Sequence, residues 1–144
     1  MTDSAEVKEL VDFVLRLHEH LEDVFVMRHG VHDMGLVESA VSSPFQTFGG
    51  EDLYPTVFDK AAQLCYALAK DHGFEDGNKR TGLHVMISYL YMCGIKMRYN
   101  QKELEELVIN LVEDKISTDD LKGWLVRHSV PQKKMVQSQN LWDE

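Results

Sequence analysis

Most of the chemistry this chain offers lies in one run, His72-Gly73-Phe74-Glu75-Asp76-Gly77-Asn78-Lys79-Arg80-Thr81-Gly82. A histidine, two acids, glycines and two adjacent cations stand there between two apolar stretches of helical spacing. A segment that only closed a turn has no need of that inventory. Gly77 precedes Asn78, where the second helical pattern opens, so the amides near Asn78 are the unpaired donors of a helix N-terminus. Such an end carries roughly half a positive charge and favours phosphate oxygens. Lys79 and Arg80 add full charges, and an arginine grips phosphate through two donors at once. Asp76 is a hard oxygen ligand of the kind magnesium takes while keeping most of its waters. Gly73 and Gly77 permit backbone angles that other residues avoid and let a ligand come close. Histidine is suited to accept a hydroxyl proton near neutral pH, which makes His72 the candidate base. Phosphate seat (Gly77, Asn78, Lys79, Arg80), metal carboxylate (Asp76) and base (His72) thus fall within one short loop. Each residue taken singly also fits an ordinary loop or a solvated helix start; only their joint occurrence speaks for a site.

Two helices must position that loop. In residues 54–72, Phe58, Ala61, Ala62, Leu64, Cys65, Leu68 and Ala69 form a wide apolar face, with Pro55 at a tolerated first-turn position. This helix is expected to end at His72 and so to carry the base. Residues 78–93 are apolar nearly all round, through Leu83, Val85, Met86, Ile87, Tyr89, Leu90 and Met92, which predicts a helix buried at the centre of its domain. Gly94 is its stop. Phe74 reads as a core anchor, Glu75 as solvent-facing, and His84 as a packed histidine, not a second base.

The remaining chain is mostly helical. Thr2, Asp3 and Ser4 are candidate caps for a helix carrying Val7, Leu10, Val11, Val14, Leu17, Leu21 and Val24 and stopped at Gly30. His18, His20, His29 and His32 read as surface groups more than as a metal site: His18 and His20 are two apart and cannot share a helix face, and His29 and His32 could share one but no further ligand pattern joins them. Residues 35–43 predict a short helix closed by Pro44. Phe45, Gln46, Thr47 and Phe48 precede Gly49-Gly50 and read either as one arm of an exposed hairpin or as a segment whose aromatics enter the core. Asn100 with Glu103, and Ser117 with Asp120, look like caps for two further helices. No strand pattern appears outside the hairpin. The fold class is therefore all-α, a bundle of about six helices with a small β-hairpin. One domain is expected over residues 1–128, and residues 129–144 form a polar tail with a single aromatic, Trp142, that is unstructured, docks a partner or packs back.

Bulk composition narrows the class. The 144 residues fit one domain, and 44% hydrophobic with 27% charged content is ordinary for a soluble protein. A net charge of −9 argues against nucleic acid as a partner, since that binding rests on phosphate neutralisation, and outside the Lys79-Arg80 pair the only basic run is the short Lys133-Lys134 pair. Cys65 and Cys93 lie inside apolar patterns and read as small buried groups in a reducing compartment. The start of the chain has no signal-peptide core, and the apolar run 83–95 is too short to span a bilayer, so a cytoplasmic location and no membrane partner are expected.

The run from His72 to Arg80 resembles the active-site motif of the Fic/Doc family, His-x-Phe-x-[Asp/Glu]-Gly-Asn-x-Arg, and Lys79 resembles its Doc (death-on-curing) toxin branch. The likeness continues through Gly35-Leu36-Val37-Glu38-Ser39-Ala40, Pro44-Phe45, Tyr54-Pro55 and Phe58-x-Lys60-Ala61-Ala62, and spans residues 33–95. It implies a Fic/Doc-type helical fold whose flap, here Phe45, Gln46, Thr47 and Phe48, aligns a target segment beside the site. It implies ATP and Mg2+ as cofactors, with His72, Arg80 and Lys79 catalytic. By resemblance to Doc, the group moved is the γ-phosphate and the acceptor a threonine of elongation factor Tu, which stops translation. AMP transfer, as in most Fic enzymes, is the alternative. Lys79 in place of their glycine and Leu83 in place of a second arginine speak against it. A catalytically inactive binding protein is the third reading. The inhibitory [Ser/Thr]-x-x-x-Glu-[Gly/Asn] segment of some Fic enzymes has no clean match, since Thr2-x-x-x-Glu6 is followed by Val7. That implies restraint by a separate antitoxin protein that folds on binding.

Overall fold

The computed structural model of the chain describes residues 4–131. The caps expected at Thr2 and Asp3, the Lys133-Lys134 pair and Trp142 lie outside the described residues. Six α-helices run in order: α1 (Ser4–Val24), α2 (Met34–Ser42), α3 (Val57–Lys70), α4 (Asn78–Met92), α5 (Gln101–Val112) and α6 (Thr118–Arg127). A 3-10 turn, Ser43–Phe45, follows α2 and contains Pro44. The all-α expectation holds, with two small antiparallel strand pairs added.

The pair α3–α4 forms the wall on which everything else is mounted. Gly82 makes their close approach possible: a Cβ there would lie 2.8 Å from the Cys65 carbonyl oxygen and 3.3 Å from the Ala69 Cβ. One side of the wall presents Ala61, Cys65, Met86 and Leu90 to Leu104, Val108 and Leu111 of α5 and Leu121, Trp124 and Leu125 of α6. The other presents Leu64, Leu68 and Val85 to Val11 and Val14 of α1 and to Val37 and Val41 of α2. That is why α4 is apolar nearly all round: it has a core on each side. Burying a leucine contributes roughly 1.5–3 kcal/mol, so the loop between α3 and α4 hangs from the most heavily secured pair in the chain.

Caps fix the helix starts. Thr56 caps α3 with a full capping box to Asp59, so this helix begins after Tyr54-Pro55 instead of with them. Ser117 and Asp120 make the same box for α6, and Asn100 caps α5, as the sequence predicts. Asp33 caps α2. α1 ends at Val24, six residues short of Gly30, because 25–33 turns away to cover the α3–α4 loop.

The hairpin is β1 (Thr47–Phe48) paired with β2 (Glu51–Asp52) through Gly49-Gly50, whose φ of 61° and 83° suit a two-residue turn with both central residues left-handed. Its two aromatics divide. Phe45 lies in the 3-10 turn and meets Tyr89 edge-on, with centroids 6.3 Å apart, while Phe48 is 80% exposed. A second pair, β3 (Ile95–Met97) with β4 (Ser129–Pro131), corrects the expectation of no strands elsewhere. Three-residue strands are too short to show a period of two. Residues 129–131, read as the start of the tail, are thereby stitched to the body of the fold. Cys65 is buried, and burial pushes its thiol up to about 12; Cys93, expected to be buried, is exposed because it caps the outer end of α4. No helix among the described residues is long and apolar enough to cross a membrane.

Candidate active site

α3 stops at Lys70, and Asp71 closes it. His72 is therefore not the last helical residue, as the spacing suggested. It stands one step beyond, exposed, with φ at 54° in the left-handed region. A side chain in that region costs on the order of 1 kcal/mol, and such strain persists where surrounding structure imposes it.

The surroundings that impose it are visible residue by residue. The Gly73 carbonyl accepts the N–H groups of His32 and Asp33 at 2.8 and 3.0 Å, and a Cβ at Gly73 would sit 2.6 Å from Val37 Cγ2. Gly73 thus serves the packing of α2 against the loop, not the approach of a ligand. Phe74 is 2% exposed and forms a bridge with Val31. The Asn78 side chain accepts from the Phe74 N–H and donates to the Phe74 carbonyl, both at 3.0 Å. That side chain, expected in the anion seat, is spent on closing the loop; what Asn78 offers an anion is its backbone N–H. Gly77 has φ at 74°, and a Cβ there would meet the Met27 methyl at 2.4 Å.

Asp76 is held for one protonation state. Its Oδ2 accepts the Arg28 N–H at 3.1 Å and its Oδ1 the Gly77 N–H at 2.9 Å. These amides, Arg28 first, keep its carboxyl below the usual aspartate range. The Gly77 amide is consequently occupied. The amides of Asn78, Lys79 and Arg80 have no hydrogen-bond partner among the described residues and stay open at the start of α4. Arg80 lays its guanidinium on the Phe25 ring, 3.8 Å from the centroid.

These groups line one cleft of about 400 Å³. His72, Glu75, Asp76, Gly77, Asn78, Lys79 and Arg80 form one side of it. Arg28 reaches in from the segment after α1, Leu83 and His84 come from α4, and Gln101, Glu105, Val108 and Ile109 from α5. In a chain of net charge −9, three cations, Arg28, Lys79 and Arg80, meet here with no carboxylate partner within ion-pair distance among the described residues. His84 is half-buried, and burial first, then Arg80, pulls its titration below the usual histidine range, consistent with a neutral wall residue. Glu75 is half-exposed and faces His32 at 3.4 Å. None of Phe45, Gln46, Thr47 and Phe48 lines the cleft; the hairpin is instead tied to α3 by Lys60, which reaches the Tyr54 carbonyl and, at 3.3 Å, Asp52.

A divalent ion fits this donor set in one way. Among the described residues no three His, Cys, Asp or Glu side chains gather as a metal cage. Magnesium does not need one: it takes one or two carboxylates and completes its shell with waters and substrate phosphates. Asp76, ionised and with one oxygen lone pair free on each side of its amide bonds, meets that requirement.

Sequence reasoning missed two contributors. His18, read as a surface group, is 2% exposed; it stacks on Phe74 with centroids 3.8 Å apart and bonds the Asp76 carbonyl oxygen at 2.9 Å. Its place on the apolar face, in step with Val11, Val14 and Leu21, is the signal that marks it. Segment 25–30, bringing Phe25, Met27 and Arg28, has no signal of its own.

A family model described as Fic/DOC family matches residues 4–90, more than half of the chain, and the chain belongs to that family. Within it the chain falls in the Doc branch. It is 42% identical over 67 residues to Toxin Doc of Mycolicibacterium smegmatis (strain ATCC 700084 / mc(2)155), a match covering 46% of this chain and 52% of that protein. It is 26% identical over 111 residues to Protein kinase doc of Escherichia phage P1, covering 74% of this chain and 86% of that protein. The match thus spans only about half the length of the first of these relatives.

Proposed function

We propose that this protein is a Doc-like toxin, restrained by an antitoxin partner, that transfers the γ-phosphoryl group of ATP to a serine or threonine hydroxyl of a protein target. One observation carries the reading: His72, the ionised Asp76 and the cations Arg28, Lys79 and Arg80 converge on one cleft beside open helix-start amides. Phosphoryl transfer asks a protein mainly for positioning and charge stabilisation, and these residues supply both. The amides of Asn78 to Arg80 and the side chains of Lys79 and Arg80 bind phosphate oxygens. Arg80, with its plane set by Phe25, stabilises the charge that develops on the group in transit. His72, exposed at the cleft, accepts the proton of the incoming hydroxyl. Magnesium, when bound at Asp76, supplies charge neutralisation of the phosphates.

Elongation factor Tu is the target by resemblance to the branch, and arrest of translation the consequence. The exposed hairpin with Phe48 at its tip is the surface for aligning that target. AMP transfer is the competing chemistry. Leu83, an apolar buried residue of the cleft wall where other Fic enzymes carry a second arginine, favours phosphoryl transfer.

ATP labelled at the α or at the γ position, incubated with the protein, Mg2+ and purified elongation factor Tu, separates these. Label reaching protein from the γ position alone is the expected result. Label from the α position alone would overturn it in favour of AMP transfer. Growth arrest that persists in His72→Ala would leave only a binding role.

A further inference from the structure

The peptide group between Asp76 and Gly77 sits at the lip of the phosphate seat, and the residue types leave it free to turn over, because glycine accepts φ of either sign. In the observed arrangement its N–H donates to the Asp76 carboxylate at 2.9 Å. Its carbonyl oxygen faces inward, 2.9 Å from Nε2 of His18. A carbonyl only accepts, so Nε2 carries the proton. Nothing on α3 or α4 holds that carbonyl; the restraint comes from α1.

His18 is itself held on every side. It is 2% exposed and lies face to face with Phe74 at an interplanar angle of 9°. Its Nδ1 lies 3.5 Å from the Glu22 carboxylate one turn along α1, and Glu22 also accepts the Gly30 N–H at 2.6 Å. One short network therefore fixes the ring, the segment that brings Arg28 over Asp76, and the peptide at the lip. Turned over, that peptide would aim the negative end of a carbonyl toward the cleft, beside the open amides of Asn78 to Arg80. A single inverted dipole there replaces attraction for an anion with repulsion.

We infer that His18 is a positioning residue: it latches the Asp76–Gly77 peptide with its carbonyl turned inward and so keeps the anion seat lined by donors. The latch is a property of the ligand-free protein. Its consequence for nucleotide rests on the ATP-dependent reading above.

Two variants separate the ring from its donor. His18→Phe keeps an aromatic ring to stack on Phe74 and loses the N–H. His18→Gln loses the ring and retains an amide N–H near the same place. In His18→Phe, exchange of the Gly77 amide, followed by NMR without ligand, should quicken about tenfold, the size expected for loss of one hydrogen-bond restraint. The Phe74 amide, bonded to Asn78, should stay protected. ATP should bind about tenfold more weakly by calorimetry. His18→Gln should recover most of both, which a purely space-filling role for the ring would not allow. If His18→Phe fails to fold, the wild-type ring and His18→Gln decide: the ring must show a slowly exchanging Nε2 proton. An unprotonated Nε2, unchanged Gly77 exchange in His18→Phe, or failure of His18→Gln to recover it overturns the latch. A wild-type protein that binds no ATP overturns the transferase reading instead, and the Gly77 exchange still judges the latch.

Discussion

The guanidinium of Arg80 rests on the ring of Phe25, 3.8 Å from its centroid, so a residue just past the end of α1 sets the plane of the cation in the first turn of α4. The ring takes one face of the guanidinium and leaves its edge donors for phosphate. Phe25 is 38% exposed, so its replacement removes little core packing. A cation–π contact at such a site contributes about 0.5–1 kcal/mol, equivalent to roughly two- to fivefold. Phe25→Leu should therefore raise the KM for ATP by that factor with the melting temperature nearly unchanged. Steady-state label transfer measures it, and an unaltered KM would show that Arg80 needs no help from the ring.

His72 combines a proposed chemical role with a strained backbone, and the two separate on mutation. Its side chain is exposed, so removing it costs no burial, and glycine relieves the left-handed φ of 54°. His72→Gly should be at least as stable as the parent, gaining up to about 1 kcal/mol, while transfer falls by a hundredfold or more, the usual scale for loss of a general base. Urea denaturation beside the label-transfer assay tests both halves. A clearly destabilised His72→Gly would mean that the imidazole holds the loop instead of serving chemistry.

Asn78 should behave in the opposite way. Its side chain makes two buried bonds to the backbone of Phe74, and Asn78→Ala leaves that N–H and that carbonyl without partners. Each buried orphan costs about 1–3 kcal/mol, so a loss on the order of 2–6 kcal/mol is expected by denaturant titration. A variant as stable as the parent but unable to bind ATP would return the Asn78 side chain to the anion seat.

Asp76 carries a definite sign with pH. The amides of Arg28 and Gly77 bond its charged form, so its folded-state pKa lies below the unfolded value of about 3.9. The folded protein then binds this proton less readily than the unfolded chain does. The stabilisation is fully present above the unfolded value and is lost as pH falls through the lower folded one. A carbon-detected titration of the Asp76 carboxyl should show its midpoint below 3.9 or so. A midpoint at or above the ordinary value would show that the two amide bonds do not form in solution.

Much of this molecule was written in local signals. The paired caps at Asn100 and Ser117, the glycines of the hairpin and the all-round apolarity of α4 each act over a few residues, and each appeared where expected. The end of α3 was legible only to within two residues, because the left-handed turn at His72 is imposed by what packs on Gly73 and Phe74 and not by any stop residue. The strand pair 95–97 with 129–131 was not legible, because pairing across thirty-odd residues of chain leaves no periodicity in either partner.

From sequence alone came the motif, the order of helices around it and the inventory of groups at the site, since helix spacing, capping and the chemistry of side chains are properties of neighbours along the chain. Tertiary structure alone decided which of those groups face the cleft: it turned the Asn78 side chain inward onto Phe74, gave Gly73 to Val37, and brought His18, Phe25 and Arg28 from α1 and its exit to the loop. The reason is physical. The contacts of His18, Phe25 and Arg28 join residues some fifty positions apart and are selected by the docking of whole helices, which also fixes how the short loop folds on itself, and no local preference records that.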